Sequence, residues 1–212
     1  MDASVSLVQA YLQVNGYFTV AEYPVIEPVL DGGTRTVTDL DILAFRFPRA
    51  GAVPGRRRLL GSLADDPDPK LGVPAEQADM IVGEVKRGSA RFNAAARNPL
   101  VLEAALVRFG CCPASNVSTL VRKLLKSGHA ATHAGHLVRM IAFGSTDDRG
   151  GTHHSVVTMG HIVEFLQSHL RQNWAVLGRA QLSQPALSYL ALLEKAERGM
   201  LGRRETQGTQ DE

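Results

Sequence analysis

Cysteine is scarce in this sequence, and its scarcity excludes a class of folds. The chain has only two cysteines, Cys111 and Cys112, and they are adjacent. Neighbouring cysteines do not bridge each other without strain, so the sequence holds no disulfide framework. Such cysteine usage is typical of a protein that works in a reducing cytosol.

A leader and long apolar runs are also lacking. The first residues, Met-Asp-Ala-Ser-Val-Ser-Leu, have neither the basic start nor the apolar run of a secretory signal peptide. No apolar stretch approaches the length of a membrane-spanning helix. We therefore expect a cytoplasmic protein without a membrane partner.

The net charge is too small to indicate a partner. Lysine and arginine number 23 against 21 aspartates and glutamates, a formal net charge of +2. This excess neither requires nor excludes nucleic acid, because local clustering of charge matters more than the total. Hydrophobic residues make up 44% of the 212 residues, which suffices for an ordinary core. We expect a single domain over residues 1–200 and a polar, disordered tail at 201–212.

The spacing of apolar residues alternates between helical and strand periods along the chain. Helical spacing predicts helices at 4–15, 99–109, 116–127, 160–177 and 183–198. Alternation and composition predict strands at 17–27, 35–47, 80–86, 136–143 and 154–159. The turn signal Asp31-Gly32-Gly33 makes the first two strands an antiparallel hairpin. Helices between strands favour an α/β fold, with a mixed central sheet flanked by helices.

A segment rich in proline, glycine and charge interrupts this pattern at residues 49–79. It has no apolar period, so we expect a mobile insert. Arg56, Arg57 and Arg58 lie within it. Neighbouring cations can contact phosphates, which makes these arginines candidate nucleic-acid-binding residues, although most such runs are solvated surface.

Acidic residues fall within two of the predicted strands. Side chains at i and i+2 of a strand share one face, so Asp39 and Asp41 face the same way. Glu84 and Lys86 do the same on the next strand. If the strands pair, carboxylates and an ammonium group converge, and carboxylate oxygens are ligands that Mg²⁺ prefers. Either pair alone is commonly a solvated edge or a surface ion pair, but charges in central strands are costly unless paired or metal-bound.

This order of elements and charges resembles the PD-(D/E)XK superfamily of nucleases, which includes restriction endonucleases, Holliday-junction resolvases and repair nucleases. The match covers residues 4–143: a helix, a strand, a strand with Asp41, a strand with Glu84-Val85-Lys86, then helix and strand. The resemblance implies a restriction-endonuclease-like α-β-β-β-α-β core with a helical C-terminal extension. It also implies a nuclease that hydrolyses phosphodiester bonds with Mg²⁺ or Mn²⁺, in DNA repair, restriction or defence.

The resemblance also implies roles for individual residues. Asp41 and Glu84 would hold the metal ion together with the backbone carbonyl of Val85, and Asp39 is an additional candidate ligand. Lys86 would position the attacking water, so Asp41, Glu84 and Lys86 are the expected catalytic residues. Cutting both strands of a duplex often uses a homodimer in this family.

One departure from the family pattern keeps a second hypothesis open. Many members carry a glutamate in the first helix, whereas residues 4–15 contain no acid, and Glu22 and Glu27 lie on the first strand instead. The alternative is a catalytically inactive member of the same fold that binds nucleic acid or a protein. The sequence also leaves both DNA and RNA open as substrates.

Histidines form a weaker metal-site pattern. His129, His133 and His136 have a spacing that occurs in zinc sites, but no Cys-x2-Cys partner accompanies them. A polar loop or helix end is the favoured interpretation. His161 and Glu164 share a helical face, and a helix-start histidine with a surface glutamate is likewise favoured over a metal site.

Overall fold

One mixed sheet forms the centre of the protein in the structure, a computed structural model. The structure describes residues 2–29, 32–50, 66–147 and 154–208, with the backbone alone from residue 200. The helices are α1 (Ala3–Val14), α2 (Pro99–Phe109), α3 (Ala114–Ser127), α4 (Met159–Gln172), α5 (Trp174–Leu177) and α6 (Pro185–Gly208). The strands are β1 (Phe18–Pro28), β2 (Thr34–Arg46), β3 (Asp79–Val85), β4 (His129–Ala131), β5 (Leu137–Gly144) and β6 (Ser155–Thr158).

The strands follow the order β1-β2-β3-β5-β4, and β6 also pairs with β5. The β1–β2 and β2–β3 pairs are antiparallel, whereas the β3–β5 and β5–β6 pairs are parallel. Parallel neighbours need a crossover, which α2 and α3 provide between β3 and β5. The predicted α/β class and the predicted hairpin of β1 and β2 are confirmed.

Helices cover both faces of this sheet. α2 and α3 pack on one face around a buried cluster that includes Val82 of β3. α1, α4 and α6 pack on the other face around a cluster that includes Ile81, its neighbour in the same strand. All of β3 is buried, so its charged residues Asp79 and Glu84 must find partners inside the protein.

A buried ion pair holds the start of β3. Asp79 is fully buried and accepts hydrogen bonds from Nε and Nη2 of Arg139 on β5, at 2.9 and 2.5 Å. The hydroxyl of Tyr17 donates to the same carboxylate. The third guanidinium nitrogen, Nη1 of Arg139, donates to the carbonyl of Leu71 at 2.7 Å. These bonds tie β3 to β5, to the start of β1 and to the segment that precedes β3.

That preceding segment is packed in the part that the structure describes. The sequence predicts a mobile insert over 49–79, yet within it residues 66–78 contact the body of the protein. Asp68 is buried, accepts a 2.6 Å hydrogen bond from the Tyr11 hydroxyl and pairs with His161 at 2.5 Å. Contacts between residues so distant in sequence cannot be predicted from the spacing of apolar residues.

Three elements differ from the sequence prediction in their extent. β4 is not predicted, because its three residues are too few to show alternation. The predicted helix at 160–177 is divided at Asn173 into α4 and α5. α6 runs to Gly208, into the tail at 201–212 for which the sequence predicts disorder. None of the described helices is long and apolar enough to cross a membrane.

Candidate active site

The candidate site lies where β2 separates from β3. The two strands pair as far as Ile42 opposite Gly83, and beyond this point β2 continues along β1. Here Oδ2 of Asp41 accepts a 2.7 Å hydrogen bond from the backbone N–H of Val85. The carboxylate therefore replaces the backbone carbonyl that a continuing antiparallel ladder would supply.

An interruption of the strand alternation occurs at Asp41. Ile42 packs on the α1 face of the sheet, whereas Leu40 packs on the α2 and α3 face. Side chains two residues apart in a strand normally share a face, so the alternation reverses at the residue between them. Glu22, which falls opposite Asp41 in the register with β1, has a left-handed backbone with φ of 53°. Positive φ is uncommon outside glycine, so both strands are irregular at this level.

Glu84 occupies the same level of β3. Extending the β2–β3 register by one residue places it opposite Asp41. Its side chain is only 2% exposed, and its Oε1 contacts the Lys86 ammonium and accepts a 2.7 Å hydrogen bond from the Asn93 amide. The Asn93 amide is itself held, because its Oδ1 accepts a 2.6 Å bond from the N–H of Ala96. The structure thus brings Asp41, Glu84 and Lys86 together and adds Asn93, which no sequence pattern singles out.

The environment weakens both carboxylic acids. Burial raises the pKa of Asp41, while the N–H of Val85 and the charge of Lys86 lower it. Burial also raises the pKa of Glu84, and the nearby Asp41 carboxylate adds to this effect, while Lys86 and Asn93 oppose it. Carboxyl groups whose charged forms are disfavoured in this way are stabilised by a neighbouring cation.

Two further acids lie beside the site, near the start of α1. Asp2 caps α1 by accepting a 2.7 Å hydrogen bond from the N–H of Ser4, and it also pairs with Arg87. The backbone N–H of Asp2 donates to Glu22 at 3.3 Å. The charges of Glu22 and Asp2 both raise the pKa of Asp41. Asp2, at the cap of the first helix, therefore lies near Asp41. Its carboxylate is already hydrogen-bonded to the N–H of Ser4 and paired with Arg87.

The other residues that the sequence singled out stand apart from this group or lie outside the described residues. Asp39 is exposed and falls opposite Pro24 of β1. In the described part of the chain, no hydrogen bond or ion pair involves its carboxylate. The arginine run from Arg56 to Arg58 lies in 51–65, outside the described residues.

The described residues contain no further cluster of metal-binding side chains. Across residues 2–29, 32–50, 66–147 and 154–208, no group of three or more histidine, cysteine, aspartate and glutamate side chains is placed to hold an ion. Cys111 and Cys112 are free, and His161 is bonded to Asp68. Within the described residues, Asp41 and Glu84 therefore form a site of two carboxylates.

Comparison with known proteins assigns no family to the chain. No family model, curated protein or solved structure matches it.

Asp41→Asn is expected to stabilise the metal-free protein at neutral pH. The amide keeps an oxygen for the N–H of Val85 and removes a charge that burial disfavours. Because the pKa of Asp41 is raised in the folded protein, its protonated carboxyl group contributes fully to stability at pH values below its ordinary pKa of 3.8. That contribution is lost as the pH rises through the raised pKa. We therefore expect a higher free energy of unfolding for Asp41→Asn than for the wild type at pH 7.

Urea denaturation in EDTA at pH 7 and at pH 3.5 measures this difference. The gain should be much smaller at the lower pH, where the wild-type carboxyl group is mostly protonated in both states. Asp39→Asn is the matched control, because it removes an exposed acid from the same strand and should change stability little at either pH. Equal gains from the two variants would contradict the electrostatic explanation.

Proposed function

We propose that the protein is a metal-dependent nuclease of the PD-(D/E)XK type that hydrolyses phosphodiester bonds, with DNA as the expected substrate. The observation that carries this proposal is the meeting of Asp41, Glu84 and Lys86 where β2 separates from β3. The chain order α1, β1, β2, β3, helices, β5 supports it, since the resemblance implies an α-β-β-β-α-β core. These four strands are also neighbours in the sheet.

The residues of the site fit a hard divalent cation such as Mg²⁺ or Mn²⁺. Asp41, Glu84 and the carbonyl of Val85 would hold it, because these ions prefer oxygen donors. The N–H of Val85 faces the Asp41 carboxylate, and the N–H and C=O of a strand residue point to the same side. The donors described for Glu84 both use Oε1, which leaves Oε2 for the ion. Such an ion, when bound, lowers the pKa of a water molecule and offsets negative charge on a phosphate.

Lys86 supplies the positive charge that the protein itself brings to the reacting phosphate. Its side chain is 35% exposed, so it contacts the buried Glu84 and also reaches solvent. In hydrolysis, a water oxygen forms a bond to phosphorus, the P–O ester bond breaks and the leaving oxygen takes up a proton. An ammonium group held beside the carboxylates orients that water and stabilises the charge that builds on the phosphate oxygens.

The second candidate is a catalytically inactive protein of the same fold that binds nucleic acid or a protein. Two observations favour it. The Lys86 ammonium already balances the charge of Glu84, and the Asp2 carboxylate at the start of the first helix is occupied by Arg87. On this hypothesis the pair of Glu84 and Lys86 is structural.

A nuclease assay separates the two candidates. We expect plasmid, single-stranded or branched DNA to be cleaved in Mg²⁺ or Mn²⁺ and to stay intact in EDTA. Glu84→Gln, which keeps the shape of the side chain but weakens the metal site, controls for contaminating nuclease. Wild-type protein that binds nucleic acid but cleaves neither DNA nor RNA would support the inactive candidate. A site that binds no Mn²⁺ would contradict the nuclease.

A further inference from the structure

The segment that links β3 to α2, residues 86–98, carries positive charge only. It contains Lys86, Arg87, Arg91 and Arg97, and no aspartate or glutamate. The whole chain has a net charge of only +2, so this segment is a local concentration of positive charge. Local concentrations of this kind, more than the total charge, determine binding to polyanions.

Buried residues anchor this segment to the protein. Ala90, Phe92 and Ala96 are buried, and the N–H of Ala90 donates a 2.9 Å hydrogen bond to the loop that follows β5. Arg91 lies between two of these anchors and is exposed, as is Arg97 directly after the third. The two arginines therefore project from an ordered backbone, so binding a ligand costs the entropy of ordering their side chains but little backbone entropy.

The two arginines also lack acidic partners in the part of the chain that the structure describes. Arg87 pairs with Asp2, but none of the described ion pairs involves the guanidinium of Arg91 or Arg97. The same segment reaches the candidate site, because Asn93 donates to the Glu84 carboxylate. Two cations without an ion-pair partner among the described residues thus lie on a segment that borders the site.

We propose that residues 86–98 hold the sugar–phosphate backbone of a nucleic-acid strand beside Asp41 and Glu84, with Arg91 and Arg97 contacting phosphates next to the one that is cleaved. The position of the cleaved phosphate rests on the function proposed above. A guanidinium group can donate two parallel hydrogen bonds to one phosphate. Phosphate contacts carry no sequence information, so the surface binds strands of any sequence, and its affinity falls steeply with salt.

Fluorescence anisotropy of short labelled DNA and RNA strands tests this surface, with Ca²⁺ in place of Mg²⁺ and over a series of salt concentrations. Replacing Arg91 and Arg97 together by alanine is expected to weaken binding roughly tenfold for each arginine. The slope of log affinity against log salt should fall by about 0.7 for each lost contact with a single strand. Replacing both by lysine keeps the charges and should preserve most of the slope.

The matched control removes two exposed cations from α3, by Arg122→Ala together with Lys126→Ala. Thermal unfolding checks that each variant is folded. An unchanged slope in the Arg91 and Arg97 variant, or an equal loss in the control, would overturn the proposed surface.

Failure of this surface can be told apart from failure of the nuclease. Binding that depends on Arg91 and Arg97 without any cleavage would overturn the nuclease and support the surface. Cleavage that is unaffected by their replacement would overturn the surface alone. Wild-type protein that binds neither DNA nor RNA would overturn both.

Discussion

Lys86→Ala is expected to slow phosphodiester cleavage roughly a hundredfold or more, the loss typical of a preorganised electrostatic group. The ammonium acts mainly in the transition state, where negative charge builds on the phosphate. It also lowers the pKa of Glu84, so its removal raises that pKa further. The loss of activity in Lys86→Ala should therefore be largest at low pH and become smaller as the pH rises. Single-turnover rates in saturating Mg²⁺ measure the first effect, and rates at limiting Mg²⁺ across a pH series measure the second.

Binding and metal affinity separate this role from its alternatives. Binding of uncleaved DNA in Ca²⁺ should change far less in Lys86→Ala, because one phosphate contact is one of many. Glu84→Gln should also abolish cleavage, but by weakening the metal site, so that excess Mn²⁺ partly restores it. If Lys86→Ala cleaves as fast as the wild type, the lysine is only a structural partner of Glu84.

The fold class could be predicted because its causes are local. The apolar period at 4–15 is that of a helix, and the structure has α1 at Ala3–Val14. The meeting of Asp41 and Glu84 depends on one further step, the register of β2 with β3. Register is strongly specified in buried strands, since a slip of one residue would turn every apolar side chain to the wrong face.

The rest of the site depends on contacts that sequence spacing does not encode. Asn93 lies in a segment without periodicity, and only its hydrogen bond to Glu84 reveals its role. The reversal of alternation at Asp41 accompanies a positive φ at Glu22, and glutamate is not a residue whose presence signals such a backbone. Asp2 reaches the region only because α1 packs across the sheet, so its closeness to Asp41 is a property of the tertiary structure.

The buried pair of Asp79 and Arg139 carries the largest expected effect on stability. Asp79→Ala should lower the free energy of unfolding by about 3–5 kcal/mol, because it leaves the Arg139 guanidinium buried without a counter-ion. Arg139→Met should have a similar effect, since the Tyr17 hydroxyl would then be the one hydrogen-bond donor left to the buried carboxylate among the described side chains. Urea denaturation, with attention to both the midpoint and the slope, measures the loss.

The double variant Asp79→Leu with Arg139→Met shows whether the loss comes from an unpaired charge. Apolar side chains can replace a buried pair at little cost, so the double variant should recover much of the stability that either single variant loses. Arg49→Ala is the control, because Arg49 and its partner Glu76 are 72% and 70% exposed, so that solvent screens the pair and its removal should change stability little. A loss in Asp79→Ala no greater than this would contradict the buried-charge explanation.

The pair of Asp79 and Arg139 lies at the opposite end of β3 from Glu84. This separation predicts how the effects of Asp79→Ala and Lys86→Ala on cleavage differ. Asp79→Ala should lose cleavage only where the protein unfolds, and a temperature low enough to keep it folded should restore activity. Lys86→Ala should stay folded and remain slow at every temperature. An Asp79→Ala variant that is folded but inactive would mean that the strand start also positions Glu84, because a rigid β3 would then transmit the change along its length.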